Sequence, residues 1–293
     1  MESSPGDCEG SVNRDVLEWK AAFLREHIVK TALSAGKGHV APALSWVEIA
    51  VTLFYGGFFT VRPYDPQWER RDRFILSKGH GCLTLYAVLA DLGFFDRAEL
   101  ETFVRAGSRL AGHPDPNIPG IEVLSGSLGH GLGIGAGLCL GAQLDHSDWK
   151  TYVLLGDGEC QEGSIWEAAA FASHHRLANL VAIVDRNHLG ATDYTEQVMR
   201  LEPFQERWEA FGWEVRTVDG HSFTQLSEAF MCNQLDQHDR PLVILANTIK
   251  GKGLGFMEGE AQWHHRLPIG TQADAALKAL HHREQELSHL IQE

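Results

Sequence analysis

The chain has 293 residues, 44% of them hydrophobic, which is enough to fill the core of one large α/β domain or two small ones. Its formal net charge of −14 argues against nucleic acid or an anionic membrane as a partner, and no run reaches the roughly 18 apolar residues of a membrane span. The five cysteines lack paired C-x-x-C spacing and no signal peptide is recognisable, so reduced thiols and a cytoplasmic location are expected.

Predicted helices and strands alternate along the chain. Residues 1–14 are expected to be a disordered lead, and residues 15–293 a single domain. The alternation indicates an α/β fold with a doubly wound, mainly parallel sheet, helices on both faces and a ligand site beyond the carboxyl ends of the strands. Strands are predicted at 74–76, 151–155, 180–184, 213–218 and 242–248, and helices at 15–35, 45–54, 82–92, 128–144, from near 160, 203–211, 222–235 and 271–291.

The most informative local feature is the run Gly156-Asp157-Gly158-Glu159 directly after a predicted strand. The next predicted strand delivers Asn187 to the same edge of the sheet. Carboxylate and amide oxygens are the ligands that Mg²⁺ and Ca²⁺ prefer, and Mg²⁺ usually adds substrate phosphates. An ordinary Gly-Asp turn would explain the first run alone, but the interval of one helix and one strand favours a metal-diphosphate anchor.

Four histidines lie in glycine-bearing loops at the presumed ligand edge: His39, His80, His113 and His264. Each one alone is more often a structural or surface residue. Together with the anchor they indicate a site that contacts phosphate and hydroxyl oxygens and moves protons.

Two glycine-containing runs have alternative interpretations. Residues 131–136 match a loose dinucleotide fingerprint if residues 121–124 form a strand, and residues 125–129 resemble a nucleophile elbow that has Ser where the first Gly belongs. The fingerprint match is weak because the glycines continue to Gly141 as on a small-residue helix face, and the elbow match is weak because of that Ser.

Three His-His-Arg triplets begin at His174, His264 and His281 and raise the question of a transition-metal site. They have neither Cys partners nor His pairs spaced i, i+4. Two of the triplets are therefore interpreted as solvated helix faces.

From about residue 15 to 270 the sequence resembles the thiamine diphosphate enzymes, specifically the N-terminal subunit of a two-component transketolase. The motifs that carry this resemblance occur in the family's order. They are residues 71–80, 112–114, 126–129, 156–163, 184–187, 219–221 and 250–253.

The resemblance implies a site for thiamine diphosphate and Mg²⁺ or Ca²⁺. It assigns the cation to Asp157, Asn187 and the carbonyl of Leu189. It assigns the ketose hydroxyls and catalysis to His39, His113 and His264. The cofactor is assigned to His80, Leu128, Gly156, Gly158, Glu159, Asn187, Ala191 and His264.

The implied activity is transfer of a two-carbon ketol unit from a ketose to an aldehyde or other acceptor. The chain ends at Glu293 without the pyrimidine-binding and C-terminal domains of full-length transketolases. A second subunit is therefore expected to supply them, with the cofactor-activating glutamate, in a heterotetramer. The α subunit of a 2-oxo acid decarboxylating complex, which shares the anchor but not the His loops, and a non-catalytic scaffold are the alternatives.

The chain departs from the usual pattern of the family at the wall expected to face the rings and the substrate. His130 replaces a Gln, Val40-Ala41 replaces Pro-Gly, and residues 191–193 read Ala-Thr-Asp where Ile-Asp-Gly is usual. These changes motivate the hypothesis that the substrate differs from the sugar phosphates of central metabolism.

Overall fold

The computed structural model describes residues 13–235 and 239–292, so most of the expected disordered lead lies outside the described residues. The five strands are β1 Arg73–Leu76, β2 Thr151–Gly156, β3 Leu180–Arg186, β4 Glu214–Asp219 and β5 Leu242–Asn247. The helices are α1 Arg14–Ala35, α2 Val40–Leu44, α3 Val47–Tyr55, α4 Cys82–Leu92, α5 Gly131–Leu144, α6 Gly163–His174, α7 Thr195–Val198, α8 Phe204–Ala210, α9 Phe223–Leu235 and α10 Thr271–Gln292.

All strand pairs are parallel, in the order β1-β2-β3-β5-β4. Parallel strands need crossover connections, and helices here provide them. The carboxyl ends of all five strands therefore meet at one edge of the sheet. This confirms the predicted parallel α/β sheet.

Apolar layers cover both faces of the sheet. Successive side chains of a strand point to opposite faces, so Phe74 and Leu76 of β1 join the layer formed with α1, α3 and α4, whereas Ile75 joins the layer formed with α5, α6 and α8. Gly135 lets α5 approach β2 closely, because a Cβ there would lie 2.6 Å from Val153 Cγ2. The small residues of α5 thus set the helix-sheet distance.

The structure corrects three expectations. The helix expected at 45–54 is α3, which begins at Val47, and the short helix α2 before it was not predicted. Helix α1 begins at Arg14, inside the expected disordered lead, where the Asn13 side chain accepts a hydrogen bond from the Asp15 N–H. Residues 121–124 form no strand, so the dinucleotide fingerprint loses the strand that must precede it.

None of the described helices is long and apolar enough to cross a membrane. Cys82, Cys139 and Cys160 are buried and unbridged. Burial raises the pKa of the Cys82 and Cys139 thiols to about 12, so they are held in the unreactive protonated form.

Candidate active site

A cleft of about 200 Å³ opens at the carboxyl ends of β1, β2 and β3. The sheet order makes these three strands neighbours, so the loops that follow them converge. Every residue expected to bind cofactor or metal lines this cleft: His80, Leu128, Gly156, Asp157, Gly158, Glu159, Asn187, Leu189, Ala191 and His264. His39 and His113 lie beside it. The ring centroid of His39 is 5.8 Å from that of His80 and 6.4 Å from that of His113.

Asp157 is buried where β2 ends. Its carboxylate accepts hydrogen bonds from the backbone N–H groups of Gly158, at 2.8 Å, and His188. Burial and then the Asp185 carboxylate raise the pKa of Asp157 to about 7, although these N–H donors and Lys78 act in the opposite direction. A proton or a cation bound at Asp157 would therefore stabilise this site.

The loop after β3 carries the other two expected metal ligands. Asn187 Oδ1 accepts a hydrogen bond of 3.1 Å from the Leu189 N–H, which fixes the amide within the loop. The buried Lys250 Nζ donates to the carbonyls of Leu189, at 3.0 Å, and Gly190, at 2.8 Å. The carbonyl of Leu189 thus accepts a hydrogen bond from Lys250, a residue that the sequence did not assign to the site.

Lys250 adds positive charge to the cleft floor. Burial and the neighbouring Lys78 lower its pKa to about 8, while Asp157 and Asp185 act in the opposite direction. The motif Lys250-Gly251-Lys252-Gly253 was visible in the sequence, but its spacing did not show that Lys250 rather than Lys252 enters the cleft.

A buried ion pair lies behind the anchor. Lys78, 1% exposed, donates from Nζ to Asp185 and, at 3.1 Å, to the carbonyl of Pro42. The hydroxyls of Ser45 and Thr248 donate to the Asp185 carboxylate. Lys78 first, and then these hydroxyls, hold the pKa of Asp185 below its usual value despite burial. The pair connects four parts of the chain, at residues 42–45, 78, 185 and 248.

Glu159 is held by the protein itself. Its carboxylate accepts hydrogen bonds from the Ser77 hydroxyl and from the N–H groups of Gly129, at 2.9 Å, and Gly156, at 3.0 Å. Burial raises its pKa. Glu159 therefore positions the glycine loop that presents Leu128, even though it also lines the cleft.

The expected histidines form one cluster of rings. Centroids lie 5.6 Å apart for His39 and His264, and 5.2 Å apart for His80 and His264. His265, which sequence reasoning did not assign to the site, joins the cluster through a 2.9 Å contact from its Nδ1 to His39 Nε2.

Burial is the largest cause that keeps these imidazoles neutral. It lowers the pKa of His39 to about 4, together with His265, His113 and Lys250, and the pKa of His264 to about 3, together with Lys250 and His265. The pKa values of His80 and His113 are lowered in the same direction. Neutral rings beside buried lysines can donate to an anion or accept a proton from a hydroxyl.

The residues fit the expected cation and diphosphate. The anchor offers a carboxylate, an amide and a carbonyl, which is a hard oxygen set, and the pKa of the buried Asp157 stays raised even though Lys78 acts to lower it. The buried His264, which lines the same cleft, has an Nδ1 with no hydrogen-bond partner among the described residues. A metal diphosphate would satisfy both groups, because its cation would compensate the Asp157 carboxylate and its anion would hydrogen-bond to His264.

Comparisons with known proteins agree with this geometry. Residues 20–286 match the family described as transketolase, thiamine diphosphate binding domain. The chain belongs to this family. The match covers most of the chain, so the fold and the cofactor class, thiamine diphosphate with a divalent cation, are those of transketolases.

Similar proteins include both separate subunits and full-length chains. The transketolase-family chain is 40% identical over 274 residues to an apulose-4-phosphate transketolase subunit of Phocaeicola vulgatus, covering 93% of this chain and 96% of that one. It is 40% identical over 250 residues to a 6-deoxy-6-sulfo-D-fructose transketolase subunit of Clostridium sp., covering 85% and 90%. The crystal structure of Campylobacter jejuni transketolase superimposes with a TM-score of 0.83 at 26% identity, covering 96% of this chain and 49% of that one.

The raised pKa of Asp157 predicts a pH-dependent stability in this transketolase-family chain. Without metal, the folded chain keeps the Asp157 proton up to pH about 7, whereas the unfolded chain releases it near the ordinary value of 3.8. Stability contributed by this proton is therefore full below pH 3.8 and is lost as the pH rises from there through about 7. Asp157→Asn cannot lose a carboxyl proton and so keeps its stability over this range. The difference in free energy of unfolding between Asp157→Asn and the parent should therefore shift in favour of the variant by about 2–3 kcal/mol from pH 5 to pH 8.

Urea unfolding of both proteins in chelator, at several pH values, measures this difference. Because only the change with pH is compared, the constant effect of the altered hydrogen bond to His188 cancels. A difference that stays flat with pH would show that Asp157 is already ionised in the metal-free chain.

Proposed function

We propose that this chain is the diphosphate-binding subunit of a transketolase-type transferase, which moves a two-carbon ketol unit from a ketose to an aldehyde or other acceptor. The observation that carries the proposal is one cleft that combines a buried oxygen anchor, Asp157 with Asn187, and a wall of neutral histidines. The names of the similar subunits support it.

The oxygen anchor would hold the cation through Asp157, Asn187 and the carbonyl of Leu189. His80, His264 and the Gly158 N–H would contact the diphosphate, and Lys250 would offset its negative charge. Leu128 and Ala191, on the cleft wall, would contact the rings. When bound, thiamine diphosphate supplies the electron sink for breaking and forming the carbon-carbon bond.

The neutral imidazoles would act on the substrate. His39, His113 and His264 are proposed to face the ketose hydroxyls, where a neutral ring nitrogen can accept a hydroxyl proton and later return it. Burial in a loop cluster keeps the rings neutral and restricts water. The same rings orient the ketose by hydrogen bonds.

A second chain is proposed to complete the site. The outer face of α5 is apolar and partly or fully exposed at Gly133, Ile134, Gly137 and Gly141, and a Cβ at Gly137 or Gly141 would meet no atom within 4 Å. Such a face allows another chain to approach closely. The similar proteins that are named as subunits support a partner chain. This partner is proposed to carry the pyrimidine-binding and C-terminal domains, in a heterotetramer.

Membership of the transketolase family disfavours the α subunit of a 2-oxo acid decarboxylating complex. The intact anchor disfavours a non-catalytic scaffold. A cytoplasmic location remains a prediction from the cysteines.

The anchor predicts cation-dependent cofactor binding. Asp157→Ala and Asn187→Ala should each weaken binding of thiamine diphosphate with Mg²⁺ by at least about 100-fold, since the diphosphate charge loses a compensating ion. Glu206→Ala, which also removes one carboxylate but at an exposed position of α8, should bind as the parent does. Calorimetric titration with the matching second subunit present measures all three. Unchanged cofactor affinity in both anchor variants would show that thiamine diphosphate binds elsewhere on the chain.

The α5 face predicts dependence on the partner. The single chain should not turn over any ketose, and adding the matching second subunit should create activity. Gly137→Leu should weaken the complex at least 10-fold without unfolding the chain, because its side chain projects from an open face. Ala275→Leu, at an exposed position of α10, is the control. Co-purification and ketose turnover are the measurements, and turnover by the highly purified single chain would contradict the proposal.

The altered cleft wall predicts a specialised ketose. Ala191 and Thr192 line the cleft with small, exposed side chains, and His130 is exposed at the start of α5. The reconstituted pair should prefer an unusual ketose, such as those in the names of its relatives, to xylulose 5-phosphate with ribose 5-phosphate by at least 10-fold in kcat/KM. Parallel assays should also include unphosphorylated ketoses and carrier-bound acceptors. A kcat/KM of about 10⁴ M⁻¹s⁻¹ or more for the ordinary pair, without a better ketose, would make these departures neutral.

A further inference from the structure

Three imidazoles converge at His264, which also lines the cleft. His39, His264 and His265 each offer one ring nitrogen, and these three nitrogens lie within 4.8 Å of one another. The shortest approach is the 2.9 Å contact between His39 Nε2 and His265 Nδ1. The ring centroids of His264 and His265 are 4.5 Å apart.

His265 is not needed for the proposed transferase. It is exposed, it does not line the cleft, and it belongs to one of the His-His-Arg triplets in the sequence. The other two triplets are in α6 and α10 or at their ends. Within the described part of the chain, only the triplet at His264 meets a histidine from another region, His39.

Three imidazole nitrogens form a donor set for borderline metals such as Zn²⁺, whereas Mg²⁺ and Ca²⁺ prefer oxygen. With Zn–N bonds of about 2.0–2.1 Å, tetrahedral nitrogens lie roughly 3.3–3.4 Å apart. The contact between His39 Nε2 and His265 Nδ1 is 2.9 Å, and all three separations are within 4.8 Å, so the required spacing lies within the range of these contacts.

We propose that His39, His264 and His265 form a second metal site, which takes one transition-metal ion of the Zn²⁺ class and leaves its fourth position open. A second observation points to a ligand here, because Nδ1 of His264 has no hydrogen-bond partner among the described residues although the residue is only 8% exposed.

Ligation changes only the proton between two of the rings. In the metal-free chain, either His39 Nε2 or His265 Nδ1 carries the hydrogen that the other accepts. In the metal complex both nitrogens donate a lone pair to the ion, and that hydrogen moves through solvent to the other nitrogen of the same ring. No oxidant or further reactant is required.

Occupancy of this site has a consequence that rests on the proposed function. His39 and His264 cannot bind a metal and face a ketose hydroxyl at the same time. Zn²⁺ should therefore inhibit the reconstituted enzyme and compete with the ketose, while the oxygen anchor keeps its Mg²⁺. The two sites therefore differ in the metal they take, Zn²⁺ at the histidines and Mg²⁺ at the oxygen anchor.

Binding is tested on the complete single chain, freed of metal by chelation and then saturated with Mg²⁺. Titration with Co²⁺ should produce the intense visible absorption of a four-coordinate ion at one equivalent, and Zn²⁺ should abolish it. His265→Ala should lower Zn²⁺ affinity by roughly 100-fold or more, beyond the upper end of the 10–100-fold that loss of an outer-shell partner costs. His289→Ala, at an exposed position of α10, should bind as the parent does.

Two results would overturn the site: Zn²⁺ affinity unchanged in His265→Ala with native circular dichroism, or Co²⁺ absorption typical of six-coordinate ions only. Inhibition is then measured on the reconstituted pair, each variant compared with its own zinc-free activity. Zn²⁺ should raise the apparent KM for the ketose at least 10-fold in the parent and not in His265→Ala. Metal binding without inhibition would keep the site and remove its link to the transferase, whereas a pair that is inactive without zinc would contradict the proposed function alone.

Discussion

The site depends on two carboxylates buried at the ends of adjacent parallel strands. Asp157 follows β2 and Asp185 lies near the end of β3, with Gly156 and Asp185 in register. Two such charges repel, and burial increases the cost of ionising both. Lys78, which follows β1, compensates Asp185 directly. Asp157 is left with a raised pKa, and a cation at this position would stabilise its negative charge.

The same constraint organises the surrounding loops. The Lys78–Asp185 pair forms hydrogen bonds with Pro42, Ser45 and Thr248. Removing one partner of such a buried pair typically lowers the free energy of unfolding by about 3–5 kcal/mol. Glu159 performs a related task on the other side, where its three hydrogen bonds hold the glycine loop before α5. Rigid polar contacts below the cleft thus position the groups that face into it.

The histidine wall has the opposite electrostatic character. Its rings are neutral, because burial and nearby lysines disfavour a further positive charge. A bound anion reverses this balance by favouring protonated or hydrogen-donating imidazoles. The cleft therefore combines a side that needs a cation with a side that accommodates an anion, which is the arrangement a metal diphosphate requires. Neutral imidazoles close together also provide transition-metal ligands at the cleft mouth.

By itself, the sequence determined the order of helices and strands, the parallel sheet and the edge that holds the anchor. These follow from local periodicity and from glycine and aspartate at strand ends, and the family resemblance named the cleft residues. Only the tertiary structure brought Lys250 to the carbonyl of Leu189, Lys78 to Asp185 and His265 to His39. Each of these contacts joins residues separated by more than 60 positions, and no local spacing encodes such a distance. The reversed order of β4 and β5 and the packing of whole loops decide it.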